Sequence, residues 1–180
     1  MYKLNIPTRY ARALHLHASS GAGEEDVYIS VNTLIQSFES FPEIVHILTN
    51  PAIETKIKRE ILVTASGSHI TKELSDFIDL ILKNGREPEI PRIMMSYADL
   101  YRKTHNINKC RLTTAIETDA ATDNGVVSFV KKISGGEVEI EKRTDPSIIG
   151  GFILEIGNRV LDASISGRLK EIRRELSETK

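Results

Sequence analysis

The chain has 180 residues, 40% hydrophobic and 27% charged, the balance of a soluble globular protein rather than a disordered one. With 24 Lys plus Arg against 25 Asp plus Glu, the formal net charge of -1 disfavours a general nucleic-acid binder. The single cysteine, Cys110, excludes an intramolecular disulfide, and no apolar run reaches the ~20 residues that a membrane-spanning helix needs.

The amino-terminal stretch Met1 to Pro7 lacks an apolar core of signal-peptide length, so no leader is expected, and any membrane association should come through a partner. A first helix is expected from Pro7-Thr8, since Pro is tolerated in a first turn, with Tyr10, Ala13, Leu14 and His17 on one face. Ser19 to Gly23 reads as a small-residue linker. Val27, Val31, Leu34, Ile35, Phe38 and Phe41 then recur at steps of three and four, the stripe of a second helix that Pro42 breaks. Ile44, Ile47 and Leu48 mark a short third helix ended by Asn50-Pro51, because the residue before Pro avoids the helical region.

Ile57, Ile61, Leu62 and Ala65 predict a fourth helix stopping near Gly67. Thr71 can cap a fifth, carrying Leu74, Phe77, Ile78, Ile81 and Leu82, and Asn84-Gly85 offers it a left-handed terminus. Leu80 lies partly off that stripe, which suggests a second contact surface. Pro88 opens a sixth helix with Ile90, Ile93, Met94, Tyr97, Leu100 and Tyr101. Short loops between six helices predict a bundle over residues 1–104.

Residues 104–109 are polar and without a stripe, a linker to a second domain over 109–180. Arg111 to Ile116 is rich in strand formers, and Asp119 can cap a helix bearing Val126, Phe129, Val130 and Ile133 that Gly135-Gly136 ends. Glu137 to Glu141 alternates strictly, a strand with one wet face. Phe152, Leu154 and Ile156 share one side of the next strand, and Gly157-Asn158 supplies the positive φ of a two-residue hairpin leading to Arg159 to Asp162. Ile165, Leu169, Ile172 and Leu176 draw a final helical stripe. The order β-α-β-β-β-α after six helices makes the whole an α+β protein: an N-terminal six-helix bundle and a small C-terminal α/β domain with a β-hairpin.

Chemistry is hard to find. Gly150-Gly151 precedes a strand, not a helix, so it is no phosphate loop; two residues without Cβ there let another backbone or helix approach. His15 and His17 diverge on a helix and lack further metal ligands, while His46, His69 and His105 are scattered. Cys110 has no local base, and Glu137, Glu139 and Glu141 read as one solvated strand face. No catalytic residue, cofactor or metal is expected.

The run Asp145-Pro146-Ser147-Ile148-Ile149-Gly150-Gly151, its hairpin tip Gly157-Asn158, Asp162 and the Leu-rich helix after it resemble the C-terminal signature of the delta subunit of F-type ATP synthases, the bacterial counterpart of the mitochondrial oligomycin-sensitivity-conferring protein. Tyr10-Ala11-Arg12-Ala13, Asn50-Pro51 and Asn84-Gly85-Arg86 resemble that family's other motifs. The resemblance covers essentially the whole chain. It implies a non-catalytic stator subunit on the cytoplasmic face of the bacterial inner membrane, coupling ATP synthesis to proton transport, with alpha subunits and b subunits as partners. It further implies an alpha-subunit groove between the first and fifth helices, where Tyr10, Ala13 and Leu14 face Phe77, Leu80 and Ile81. Gly150, Gly151, Gly157 and Asp162 are then structural signature residues. The alternative reading is an RNA-binding helical module, against which the neutral composition and the β-rich last third speak.

Overall fold

Asn5 starts the first helix: its side-chain oxygen accepts a hydrogen bond from the Thr8 backbone N–H at 3.2 Å, satisfying one of the donors that a helix start leaves unpaired. The computed structural model describes residues 5–21, 23–67, 70–118, 120–157 and 159–178, with the backbone alone at 120–123, 134, 175 and 178. Asp119, Asn158 and His69 lie outside the described residues. The chain divides into two compact units, Met1–Tyr101 and Arg102–Lys180. The whole is a mixed helix-and-sheet fold, with eight α-helices and a four-stranded sheet among the described residues.

Six helices form the first unit: α1 (Ile6–Ser19), α2 (Glu24–Ser40), α3 (Glu43–Thr49), α4 (Thr55–Ala65), α5 (Lys72–Lys83) and α6 (Ile90–Thr104), the last crossing the division at its end. The stripe on α5 is buried throughout, from Leu74 to Leu82, and the Thr71 hydroxyl caps it by accepting from the Leu74 N–H at 3.3 Å. Gly85 takes φ +60°, and the Arg86 N–H returns to the Ile81 carbonyl at 3.1 Å, the left-handed stop expected there. Ile90, Ile93, Met94 and Tyr97 of α6 are also buried. Removing each such side chain from water contributes ~1.5–3 kcal/mol before ordering costs are subtracted. Burial pushes the Tyr97 phenol well above its ordinary range, and Tyr28 stacks on Tyr101 with ring centroids 4.0 Å apart.

Four details of this unit differ from the periodic reading. The buried line of α1 is Pro7, Ala11, Leu14 and Ala18, so Ala13 and His17 face outward. Phe41 caps the end of α2 and is 61% exposed rather than in the core. On α4 the inward positions are Lys58, Leu62 and Ser66, one residue round from the Ile57-Ile61-Ala65 line. The inward polar groups are satisfied in ways that an apolar pattern does not show. Lys58 reaches Glu87 at 3.5 Å, and the Ser66 hydroxyl donates back to the Leu62 carbonyl of its own helix at 2.7 Å. Helix α6 also starts later than Pro88, after a single tight turn over Glu87–Glu89.

In the second unit the sheet has the order β2-β1-β3-β4, from β1 (Ile107–Thr114), β2 (Glu137–Thr144), β3 (Phe152–Ile156) and β4 (Arg159–Asp162). Strand β1 is central, parallel to β2 through the crossover helix α7 (Ala120–Ser134) and antiparallel to β3. It begins at Ile107, inside the stretch read as linker, with Lys109 on the charged face of the sheet and Asn108 beside Val138 at the end of the other. Val130 of α7 closes over Cys110, Leu112 and Leu154, with Val126, Val138, Ile140, Phe152 and Ile156 around them. On the opposite face Arg111 donates to Glu141 at 3.1 Å and to Glu155 at 3.4 Å, and Lys109 meets Glu141 at 2.8 Å. Those cations hold the Glu141 carboxyl below its ordinary range. Glu137 and Glu139 likewise meet Lys131 and Arg102. The glutamate-lined strand is therefore part of a salt-bridged layer, not a merely solvated one. Helix α8 (Ile165–Glu178) ends the chain.

Candidate partner-binding surfaces

Helices α1 and α5 are neighbours. The Tyr10 ring meets Phe77 edge-on with centroids 6.3 Å apart, and its hydroxyl oxygen accepts from the Asn84 side-chain amide at 3.2 Å. Phe77 and Asn84 are two turns apart, so Tyr10 lies along the α5 face on which Leu80 falls. Of the six residues expected at a groove here, Leu14, Phe77 and Ile81 are buried. Tyr10 is half-buried, Ala13 is exposed and Leu80 is 45% exposed. The accessible part is thus a small residue flanked by an aromatic edge and a leucine, which suits an apolar helix laid across it.

A second apolar surface was hidden in the sequence by the assumption that every stripe is core. Phe41, Ile44, Ile57, Ile61 and Ala65 line an open groove of about 470 Å³ between α2, α3 and α4. Ser37 donates to the Ala65 carbonyl at 3.0 Å and ties its two walls together.

In the second unit the signature residues gather at the base of α8. Gly151 has φ +74°, and a Cβ there would overlap the Ala163 carbonyl oxygen. At Gly150 a Cβ would come within 2.8 Å of the Ile165 side chain, whose own N–H donates to the Gly150 carbonyl at 3.0 Å. The Asp162 carboxylate accepts from the Ser164 N–H at 2.9 Å, and the Ser164 hydroxyl accepts from the Gly167 N–H at 2.9 Å, an N-cap. Gly157, at φ +56° with open space around it, serves only the hairpin. Beyond its first turn α8 carries Leu169, Ile172 and Leu176 exposed at 53%, 52% and 71%. Ile165, whose inner end lies against Gly150, is 47% exposed, so the four-three-four stripe is open along its length.

Nothing in these surfaces is poised for catalysis. His15 pairs with Glu24 at 3.2 Å, and His17 and His46 are exposed on separate helices. Burial pushes the Cys110 thiol up, away from the reactive thiolate. Among the described residues no helix is long and apolar enough to cross a membrane.

Comparison with known proteins gives a consistent result. A family model described as ATP synthase delta (OSCP) subunit matches residues 6–176. The ATP synthase subunit delta of Phocaeicola vulgatus is 37% identical over 177 residues, covering 97% of this chain and 95% of its own. That of Parabacteroides distasonis is 35% identical over 175 residues, and that of Natranaerobius thermophilus 32% over 174, each covering 97% of both chains. In three dimensions the chain is similar to one in a cryo-EM structure of the Toxoplasma gondii mitochondrial ATP synthase hexamer. The TM-score is 0.71 at 20% identity, over 96% of this chain and 98% of that one. This last likeness is one of fold.

Proposed function

The chain belongs to the ATP synthase delta (OSCP) subunit family, and from that premise we propose how its two units work. It is a non-catalytic subunit of the F-type ATP synthase, a part of the peripheral stalk; the complex, not this chain, makes ATP. The observation that carries this is a family match over residues 6–176, which starts in α1, spans both units and reaches into α8. An RNA-binding role finds no support in any relative compared.

In this reading residues 1–104 act as a six-helix bundle that holds the N-terminal segments of alpha subunits, with Tyr10, Ala13 and Leu80 as the contact line over Leu14, Phe77 and Ile81. Residues 109–180 hold the b subunits. The chain thereby keeps the catalytic head from turning with the rotor, at the cytoplasmic face of the inner membrane and attached to it only through the complex. Support comes from the chemistry of the surfaces: both units expose apolar residues at helical spacing, and neither offers a constellation for catalysis. The test is co-purification of the full chain with alpha and b subunits, followed by proton pumping in membranes reconstituted with it. Loss of coupling on omission, with hydrolysis by the detached head intact, is expected; pumping that proceeds without this chain would refute the assignment.

A further inference from the structure

We infer that Asp162 is a positioning residue, which fixes the direction in which α8 leaves the sheet and so sets the pose of its bare apolar stripe. The inference rests on the reading that the C-terminal unit holds the b subunits, and it names how that contact is aimed.

The argument begins with how little else holds the helix. No described side chain from Arg168 to Leu176 is buried, so α8 is attached through its first turn alone. Its base packs against the Pro146–Ile148 turn, and the hydrogen bonds that fix its direction gather at one joint. The Ala163 N–H donates to the Phe152 carbonyl at 2.9 Å, and the Ile165 N–H to the Gly150 carbonyl at 3.0 Å, tying the residues before the helix to β3. Asp162 closes the other side. One carboxylate oxygen takes the Ser164 N–H at 2.9 Å. The other lies so near Gly167 that a Cβ there would stand 2.6 Å from it. The carboxylate therefore touches both the residue that caps α8 and the third residue of its first turn. Hydrogen bonds from Ser164 hold the Asp162 carboxyl below its ordinary range, so it is charged at neutral pH and favoured beside the positive end of the helix dipole. A rigid joint matters because a helix anchored at one end swings its far end widely for a small change in angle. At 1.5 Å per residue, Leu176 lies roughly 16 Å along the axis from Ile165.

The stripe is also of a kind that demands aim. Ile165, Leu169, Ile172 and Leu176 alternate by four and three, the seam of a helix that packs along another at a shallow angle. Arg168 and Arg173 flank it on its two sides, both exposed, and Glu175 follows Arg168 by seven positions, so the complementary helix is one with an apolar seam and carboxylates opposite the two arginines.

The experiment uses the full chain and the soluble segment of the b subunits. Spin labels at Arg143 in β2 and Ser177 in α8, on a Cys110→Ala background, report the spread of helix directions, and titration reports affinity. Asp162→Ala is expected to broaden the distance distribution and to weaken binding on the order of tenfold. Hydrogen exchange in β1 and β3 should stay as in the parent, which a general loss of stability would not allow. Asp162→Asn, which keeps an acceptor oxygen, should recover most of both. Gly167→Ala should weaken binding while Asp162 is present and have little effect in its absence, since the added methyl then meets no carboxylate. A parent-like distribution in Asp162→Ala, or a broad one with parent-like affinity, overturns the inference. Ile172→Asp separates the two layers. If it abolishes binding while Asp162→Ala binds normally, the inference falls and the stalk reading stands. If Ile172→Asp itself binds normally, the stalk reading of this stripe falls and the inference with it.

Discussion

The two units spend their apolar residues differently. In the first, Leu14, Leu34, Leu62, Leu74, Ile78, Ile81, Ile90, Ile93 and Tyr97 are wholly buried, drawn from five of its six helices. In the second, the buried apolar side chains among the described residues are Cys110, Leu112, Val130, Ile148 and Leu154, while a comparable set stands exposed on α7, β4 and α8. The first unit is a finished core with contact lines on its outside. The second keeps much of its apolar surface for something else, and its own stability is the smaller for it. Apolar residues at helical spacing thus mean opposite things in the two halves of one chain, and only burial tells them apart.

The sharpest way to break that comparison is Gly151→Asp. It forces a side chain into a left-handed residue against the Ala163 carbonyl and should cost about 4 kcal/mol or more, enough to unfold the second unit. Gly150→Asp meets only the movable end of Ile165 and should be milder. Hydrogen exchange should show the loss confined to residues beyond α6; protection lost equally in α5 would mean that the units are not independent. Next in size, Leu112→Ala and Ile78→Ala should each cost about 3 kcal/mol, the same cavity chemistry in both places. The consequence differs. Ile78→Ala leaves a folded first unit with a lowered melting point, whereas Leu112→Ala populates an unfolded second unit, visible as doubled resonances or biphasic denaturation.

Smaller still is Leu80→Asp. The residue is half outside the core, so stability should change by less than about 1 kcal/mol, while binding of an alpha N-terminal peptide weakens by ~1–3 kcal/mol, about five- to 150-fold. Calorimetry with parallel thermal melts separates the two; unchanged affinity in both Leu80→Asp and Ala13→Asp would place the groove elsewhere, with the α2-α3-α4 groove the next to try. The smallest effect is acid sensitivity. Glu141, Asp145 and Asp162, all in the second unit, are held below the ordinary carboxylate range by Lys109 and Arg111, by Ser147 and by Ser164 respectively. Depressed folded values mean that the unfolded chain takes up protons first as the pH falls. Their contribution is complete above the ordinary range and is lost from about pH 4 downward. Tyr97 and Tyr101 work the other way: burial raises both phenols, so the first unit weakens as the pH climbs past about 10. Cys110 adds a similar alkaline loss to the second unit, so acid is the cleaner probe.

Much of this was legible before any coordinates. The α5 stripe, its Thr71 cap and its Gly85 stop all follow from local rules, and so do the succession of strands and helices in the second unit and the crowding at Gly150-Gly151. What the sequence hid was rotation. Ile57 and Ile61 have the spacing of a buried face, yet α4 turns Lys58 inward to Glu87, and a polar partner 29 residues away leaves no periodic trace. Leu14 and Ile81 illustrate the reverse case: the family resemblance implied them for a groove, and both side chains are wholly buried. The start of β1 at Ile107 was missed because half of that strand faces a layer of ion pairs, so its polar residues resemble a linker. Asp162 was visible as a signature residue without a role until the helix it touches was in place.

The central position of β1 has a consequence in time. Its two neighbours, β2 and β3, lie downstream, and Leu112 faces Leu154, 42 positions later in the sequence. A ribosome adding ~5–20 residues per second leaves Cys110 and Leu112 without their β3 partners for roughly 2–8 s, while the helices ahead of them can already associate. Longer waits in the helical half, such as that of Tyr10 for Asn84, are over by then, so the second unit is the later of the two to close its core.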